Sequence, residues 1–186
     1  MKYTVTIQRS RRKTMTITVG EDGNVTVKAP LAASDAAIKA FLDEKEEWII
    51  RSVESVRRKH EKLDTVEKLS EDEVRELFEG AAEYFPERCR YFARLMDVSY
   101  GRITIRNQKT RWGSCSAKGN LNFNAGLMLA PPEARDYVVV HELAHRRQMN
   151  HSPAFWKEVE RVLPDYRARR KWLRQNGAVI MRQIGW

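Results

Sequence analysis

The chain has 186 residues, 42% of them hydrophobic, which is enough for one globular domain with an ordinary core. Its 34 basic and 25 acidic residues give a net charge of +9, and the surplus is uneven: segment 98–132 carries five basic residues and no acidic ones, whereas 34–97 carries 12 basic and 17 acidic. A basic surface favours an acidic partner such as nucleic acid, a nucleotide or an acidic polypeptide, although an unspecialised basic protein has the same composition.

The composition argues against a membrane-spanning protein and against a disulfide framework. No run of about 18 apolar residues is present, and residues 1–10 alternate like a strand instead of forming the apolar block of a signal peptide. The two cysteines, Cys89 and Cys115, lie in dissimilar segments and form no CxxC pair. We therefore expect a cytoplasmic protein without a membrane partner.

Residues 1–33 are predicted to form an N-terminal β region. Segments 3–7, 14–19 and 24–28 alternate apolar and polar residues and are rich in β-branched side chains, and 21–24 supplies turn chemistry between the last two. This pattern predicts a small antiparallel sheet.

Residues 34–97 are predicted to be helical. Ser34 is placed to cap one long helix, and Ser70 with Glu73 forms a capping box that opens another. Pro86 is expected to kink or divide the second helix. The apolar side chains at helical spacing in both segments are assigned to the core.

Residues 98–186 mix strands and helices. Strand character returns at 102–106, and a hairpin around 117–120 is expected to join 112–115 to 121–124. Three further helices are predicted, each near a proline at its start: Pro132, Pro153 and Pro164. The last of them is expected to end at Asn176 and Gly177.

Three of the four histidines fall in the segment 141–151, which reads HELAHRRQMNH. Residues four apart on a helix are separated by about 400° of rotation, so His141 and His145 project from one face and can reach one metal ion. Glu142 lies about 100° further round and is placed to hydrogen-bond a water held by that metal, which is the position of a general base. His60 lies among basic residues on a polar helix end and is expected at the surface.

A third ligand is required, because catalytic zinc usually has three protein ligands and a water. His151 lies six residues after His145, about 240° away on a continuing helix, so the helix must end between them. Asn150 tolerates the left-handed conformation that ends helices, and Ser152 with Pro153 is typical of the start of the next helix. His151 then lies in the bend and can turn back toward the metal. Zinc is the expected ion, although nickel, manganese or cobalt would suit imidazole ligands.

Several ordered motifs resemble those of the YgjP-like family of predicted zinc-dependent metallopeptidases, relatives of the SprT-like proteases. These motifs are 110–116 (TRWGSCS), the HELAH motif, 150–152 (NHS) with Phe155 and Trp156, and 164–166 (PDY). The resemblance implies that the metal ligands are His141, His145 and His151 and that Glu142 is the catalytic residue. The spacing of these residues alone suggests the same roles.

The resemblance also implies a fold. We expect one YgjP-like domain over 1–186, of α+β class, in which an active-site helix and a small antiparallel sheet form a zincin-like core over 98–186. It makes 121–124 the substrate-facing rim. The HExxH-x5-H spacing is also that of metzincins, but those have glycine where this chain has Gln148. No clear methionine turn is present, so the likeness to metzincins lies in ligand spacing.

The leading hypothesis is a zinc-dependent hydrolase of peptide bonds, in which Glu142 takes a proton from the attacking water and passes it to the leaving amine. Tyr166, Arg111, Asn122 and Asn124 are candidates for stabilising the oxyanion. Each of these four also has an ordinary structural interpretation, which we weight more heavily.

Two alternatives remain open. The first keeps the metal but takes a phosphorylated substrate such as a nucleotide, guided by a basic surface formed by Arg102, Arg106, Lys109, Arg111 and Lys118. The second is a nucleic-acid-binding protein whose metal is structural. That site would need a fourth ligand such as Cys115. A nucleophilic pair of Cys115 with a histidine would leave Glu142 without a role.

Overall fold

The computed structural model describes residues 3–186, so the start of the first predicted strand, Met1 and Lys2, lies outside the described residues. The chain forms two compact units that divide between Thr65 and Val66. The described residues contain six α-helices and two three-stranded sheets, which confirms the α+β class. The single-domain organisation over 1–186 stays a prediction.

The first unit contains a three-stranded sheet whose middle strand is the last in sequence. The strands are β1 (Val5–Ser10), β2 (Thr16–Val19) and β3 (Val25–Pro30), in the order β1-β3-β2. The predicted turn before β3 is present, with Gly23 at φ 76°. The antiparallel prediction needs correction, because β2 and β3 are antiparallel but β1 and β3 are parallel. The alternation of apolar and polar residues predicts which side chains face the core, but it does not specify which strands pair or in which direction.

Two helices follow in this unit, α1 (Asp35–Glu44) and α2 (Glu46–Asp64). Ser34 caps α1 as predicted, because its side chain accepts a hydrogen bond from the backbone N–H of Ala37 at 3.1 Å. The single long helix predicted after Ser34 is interrupted at Lys45. The two helices pack in different clusters: the α1 cluster contains Val27, Ala29 and Ile38, and the α2 cluster contains Val25, Ile49 and Val53.

The second unit begins with its longest helix, α3 (Glu71–Met96). The predicted capping box is present: the Ser70 hydroxyl accepts from the Glu73 N–H, and the Glu73 carboxylate accepts from the Ser70 N–H at 2.8 Å. Pro86 lies inside α3 without dividing it. Phe85 is fully buried beside the proline, and such burial offsets the backbone hydrogen bond that proline cannot make.

The second sheet has the strands β4 (Ile103–Arg106), β5 (Gly113–Cys115) and β6 (Leu121–Asn124), in the order β4-β6-β5. The predicted hairpin of β5 and β6 is present, and its turn contains Gly119 at φ 82°. β4 pairs with β6 in parallel, so this sheet is mixed rather than antiparallel. A small sheet does accompany the HELAH helix, as the zincin-like prediction requires.

After a 3₁₀ segment at Ala125–Leu129, three helices complete the unit: α4 (Pro132–Ala144), α5 (Pro153–Val162) and α6 (Tyr166–Gln183). The predicted end of α6 at Gly177 is wrong, because the helix continues through it. A Cβ atom added at Gly177 would lie 2.9 Å from Cζ2 of Trp112. This glycine therefore allows close packing and does not end the helix.

The core of the second unit lies between α3, β6 and α4. Phe85 of α3 stacks on Phe123 of β6 with ring centroids 4.5 Å apart. On the side of α4, Arg88 donates from Nε and Nη2 to the two carboxylate oxygens of Asp136, each at 2.7 Å. These contacts fix α4 against α3. Within residues 3–186, no helix is both long enough and apolar enough to cross a membrane.

Candidate metal centre

The HELAH motif occupies the last turn of α4, which is buried around most of its circumference. Its buried residues include Val138, Val139, Val140, Leu143 and Ala144. Helices that are apolar on all sides belong in a core. The histidines at the end of α4 therefore start from a backbone that packing holds in place.

The chain turns directly after α4, which ends at Ala144 with His145 as its C-cap. The N–H groups of Arg147 and Gln148 both donate to the Ala144 carbonyl at 3.0 Å. The expectation of a left-handed conformation at Asn150 is wrong. Among the described non-glycine residues, only Asp97 has a positive φ. Tight turns after Ala144 end the helix instead.

The start of α5 follows the prediction. The Ser152 hydroxyl accepts a hydrogen bond from the Phe155 N–H at 3.5 Å, and Pro153 occupies the first helical position. Asn150 contributes through its side chain, which accepts from the Ser152 N–H at 3.3 Å. His151 is left in the bend between α4 and α5.

The bend brings the three predicted histidines together. One nitrogen from each of His141, His145 and His151 lies within 4.8 Å of the other two. The Nε2 atoms of His141 and His151 are 3.1 Å apart, and the three ring centroids are separated by 5.1, 5.0 and 4.9 Å. Three imidazoles in a near-equilateral triangle match the donor set of a catalytic zinc site.

A backbone carbonyl orients one of these imidazoles. Nδ1 of His145 lies 3.1 Å from the carbonyl oxygen of Gln148. When Nδ1 donates to that oxygen, the lone pair on Nε2 is directed to the centre of the triangle. His141 differs, because its Nδ1 is buried without a hydrogen-bond partner among the described residues.

Two aromatic residues of α5 support the triangle. The fully buried Phe155 ring lies 4.9, 4.7 and 4.8 Å from the rings of His141, His145 and His151. The ring of Trp156 stacks near His151 at 5.8 Å. Phe155 touches all three imidazoles and thus limits their rotation.

Burial also sets the charge state of the site. It lowers the pKa of His141 to about 3, with smaller contributions from the neighbouring imidazoles and Arg170. Burial likewise lowers the pKa of His145. Neutral imidazole is the form that binds a metal. Burial raises the pKa of Glu142 to about 8, against the opposing charge of Arg111.

Glu142 lies against the backbone of β5. It is only 5% exposed, and a Cβ atom added at Gly113 would lie 2.7 Å from its Oε1 and 2.9 Å from its Cγ. Any larger residue at Gly113 would therefore displace the Glu142 carboxylate. Sequence reasoning missed this role, although glycine inside a strand is a signal of close approach.

Three of the candidate oxyanion donors, Asn122, Asn124 and Tyr166, have hydrogen-bond or packing partners in the structure. Asn124 is fully buried: its side-chain amide donates to the Gln108 and Arg111 carbonyls, and its Oδ1 accepts from a backbone N–H. Asn122 bonds to side chains on its own sheet. Both asparagines are thus structural. Tyr166 stacks on Trp156 at 5.4 Å and is 5% exposed.

The expected rim strand is wrong. β6 lies between β4 and β5, so a substrate cannot add to either of its edges. The edge strand beside Glu142 is β5. Trp112 accepts a backbone hydrogen bond from Asn124 of β6, and Ser116 donates one to Asn120, which directly precedes β6. The alternation of an antiparallel pair then directs the N–H and C=O of Gly113 and Cys115 away from β6.

The described residues place no cysteine in the histidine cluster. Cys115 is half-buried, and its Sγ atom donates to the Ser116 carbonyl at 3.5 Å. Burial raises the pKa of this thiol. A structural site closed by Cys115 and a nucleophilic Cys115–His pair both lack support in this geometry.

Comparisons with known proteins define the class of this fold and site. A family model described as "YgjP-like, metallopeptidase domain" matches residues 13–79 and 64–176. These matches span most of the sequence, and the protein therefore falls in a class of metallopeptidase domains. The chain belongs to the YgjP-like family, which confirms the resemblance seen in its motifs.

Solved structures of two metallopeptidase zymogens are similar to half of the chain. Abylysin of Pyrococcus abyssi is 26% identical, with a TM-score of 0.44, and the match covers 50% of this chain and 92% of that one. Jannalysin of Methanocaldococcus jannaschii is 18% identical, with a TM-score of 0.45, and the match covers 50% and 95%. A comparison with curated proteins gives no match.

Proposed function

We propose that this protein is a zinc-dependent hydrolase of peptide bonds, with His141, His145 and His151 as metal ligands and Glu142 as general base. The main support is the triangle of three imidazoles, whose ligand atoms lie within 4.8 Å of one another. The match to a metallopeptidase-domain family supports the reaction class. A cytoplasmic location stays a prediction.

The donor set fits a divalent metal. Three neutral nitrogens without a fourth protein ligand are typical of catalytic zinc, and structural zinc usually has four. A metal bound there would polarise the substrate carbonyl and make a water more acidic. Imidazole ligands also accept nickel, cobalt or manganese, so the choice of zinc rests on coordination preference.

Glu142 supplies the proton transfers in this proposal. Its carboxylate is held against Gly113, and Glu142 directly follows His141 in α4. We infer that it accepts a proton from the attacking water and then donates it to the leaving amine. One carboxylate can perform both proton transfers if its side chain keeps a single orientation. The close contact with β5 restricts the rotation of the Glu142 side chain.

The open edge of β5 suits an extended peptide. The N–H and C=O groups of Gly113 and Cys115 point away from β6 and can pair with a substrate strand. A peptide bound there would run past Glu142, because Gly113 touches that side chain. This placement supports a peptide or protein substrate.

The phosphorylated-substrate alternative receives less support. Arg106 donates to Asn122, and Asn122 donates to Ser114. The Ser114 side chain lies on the opposite face of β5 from the Gly113 position that meets Glu142. Part of the predicted basic surface thus faces away from the metal centre. Binding of nucleic acid by this surface stays a prediction.

The decisive experiment is Glu142→Gln, with Glu133→Gln, an exposed site on the same helix, as control. We expect Glu142→Gln to keep about one metal ion per chain, measured by mass spectrometry, and to lose more than about 99% of the hydrolysis of a quenched peptide library and of an unfolded protein. Activity retained above a few per cent of wild type would remove Glu142 from the mechanism. Turnover of a nucleotide panel without peptide cleavage would favour the alternative.

A further inference from the structure

One exposed arginine lies beside the histidine triangle. Arg170, on α6, places its guanidinium carbon 4.8 Å from the centroid of the Trp156 ring. The centroid of that ring is 5.8 Å from the His151 ring and 5.9 Å from the His141 ring. Only one aromatic ring therefore separates the guanidinium from two of the predicted metal ligands.

The neighbouring arginines of α6 have acidic partners, whereas Arg170 has none within residues 3–186. Arg167 pairs with Glu160 at 2.6 Å, and Arg169 pairs with Asp165 at 2.9 Å. Among the described residues, no carboxylate pairs with Arg170, whose described contact is the ring of Trp156. Stacking on an aromatic ring fixes the plane of a guanidinium and leaves its N–H edge free to bind an anion.

A second exposed arginine adds to the positive charge. Arg111 lies two residues before Gly113, the residue of β5 that meets Glu142. A site with two arginines beside it favours substrates that carry negative charge.

We propose that Arg170 is a specificity-determining residue that binds a substrate carboxylate close to the scissile bond. The inference rests on the proposed peptidase function. An acidic side chain and a free C-terminal carboxylate present the same two oxygens to the guanidinium. Its position one ring from His151 sets the carboxylate within about two residues of the cleaved bond, given about 3.3 Å per residue of extended chain.

The test uses one set of peptides with three variants of a single sequence. The first has Glu beside the scissile bond and an amidated C-terminus, the second has Gln with the same amidated end, and the third has Gln with a free C-terminal carboxylate. Hydrolysis gives kcat/KM for each peptide. Calorimetric titration into metal-loaded protein that carries Glu142→Gln gives Kd without cleavage.

We expect the wild type to prefer one carboxylate peptide over the neutral amide by about tenfold, since one charge-assisted hydrogen bond contributes about 1.5 kcal/mol or more. Arg170→Gln should reduce that ratio to about one, and Arg170→Lys should recover part of it. Lys171→Gln, which removes the same charge from the next position of α6, should leave the ratio unchanged. The preferred peptide shows whether Arg170 binds an acidic side chain or a free C-terminal carboxylate.

The outcomes separate this inference from the proposed function. A wild type that cleaves all three peptides equally, or an Arg170→Gln variant that keeps the preference, overturns the role of Arg170 and leaves the peptidase proposal standing. If no peptide is cleaved, the peptidase proposal fails, and the titration still decides whether Arg170 binds carboxylate. Tighter binding of a nucleotide than of every carboxylate peptide would also overturn the inference.

Discussion

Two helices of this protein carry histidines in opposite environments. The 19 residues of α2 include two buried ones, Ile49 and Val53, whereas eight of the 13 residues of α4 are buried. His60 on α2 is exposed, but His145 at the end of α4 is only 9% exposed. The same residue type is thus a solvated side chain in one helix and part of a fixed cluster in the other.

The difference shows what makes an imidazole a plausible ligand. A surface histidine samples several rotamers, and a metal would have to order it at a cost in entropy. The α4 histidines are already ordered by packing, and burial keeps His141 neutral by lowering its pKa to about 3. Preorganisation therefore comes from the core around α4 and not from the HExxH pattern alone.

The largest effect is expected from removing a ligand. His151→Ala should weaken metal binding by more than about 100-fold, because two imidazoles hold zinc far less tightly than three. His60→Ala should leave affinity unchanged. Competition with a chelating dye measures both.

Unchanged metal affinity in His151→Ala would mean that an acid of α5 supplies the third ligand. The acids of α5 are Glu158 and Glu160. Both are engaged with arginines, Glu158 with Arg161 at 3.2 Å and Glu160 with Arg167 at 2.6 Å. Either would have to leave that partner to bind the metal.

Removing a support of the cluster should reduce stability. Phe155→Ala deletes a fully buried ring and should lower the free energy of unfolding by about 3–5 kcal/mol. Trp48 on α2 is a larger aromatic but 45% exposed, and Trp48→Ala should cost about 1 kcal/mol or less. Urea denaturation of both variants measures the contrast. Equal losses would show that the two helices are equally embedded.

A smaller change should affect catalysis without affecting the metal. Gly113→Ala forces the Glu142 carboxylate to move, and a displacement of about 1 Å can lower kcat/KM by about 100-fold. The metal content should stay at that of the wild type. Ser114→Ala alters the opposite face of the same strand and should change the rate less than about threefold. A Gly113→Ala variant with full activity would show that the Glu142 carboxylate can shift without loss of function.

Much of the site was predictable from sequence because it depends on local rules. The i, i+4 spacing places His141 and His145 on one face, and Ser152 with Pro153 starts a new helix that leaves His151 in the bend. These are properties of short segments. The roles of these residues as ligands stay predictions.

The features that were missed depend on contacts between distant segments. The closeness of Gly113 to Glu142 joins positions 29 residues apart, and nothing in either segment specifies the other. Gly177 was mistaken for a helix end, because the ring of Trp112 that needs its small size lies far away in sequence. Strand partners were mistaken for the same reason, since alternation determines a face but not a neighbour.

A smaller stability effect than that of Phe155→Ala should come from the ion pair that fixes α4. Arg88 and Asp136 form two 2.7 Å hydrogen bonds, with side chains 28% and 14% exposed. On α2, Arg51 and Glu47 are 3.9 Å apart, with side chains 72% and 90% exposed. A double-mutant cycle with Arg88→Met and Asp136→Ala should give a coupling energy of about 1–2 kcal/mol, since bidentate bonds to a charged group are strong and partial exposure weakens them.

The same cycle with Arg51→Met and Glu47→Ala should give less than about 0.5 kcal/mol, because water solvates both charges. The Asp136→Ala variant should also weaken metal binding slightly, since Asp136 lies on the helix that carries His141, whereas neither α2 variant should do so. Urea denaturation supplies the coupling energies, and dye competition supplies the metal affinity. Equal coupling energies in the two pairs would indicate that apolar packing alone fixes α4. The difference between α2 and α4 would then come from their buried side chains.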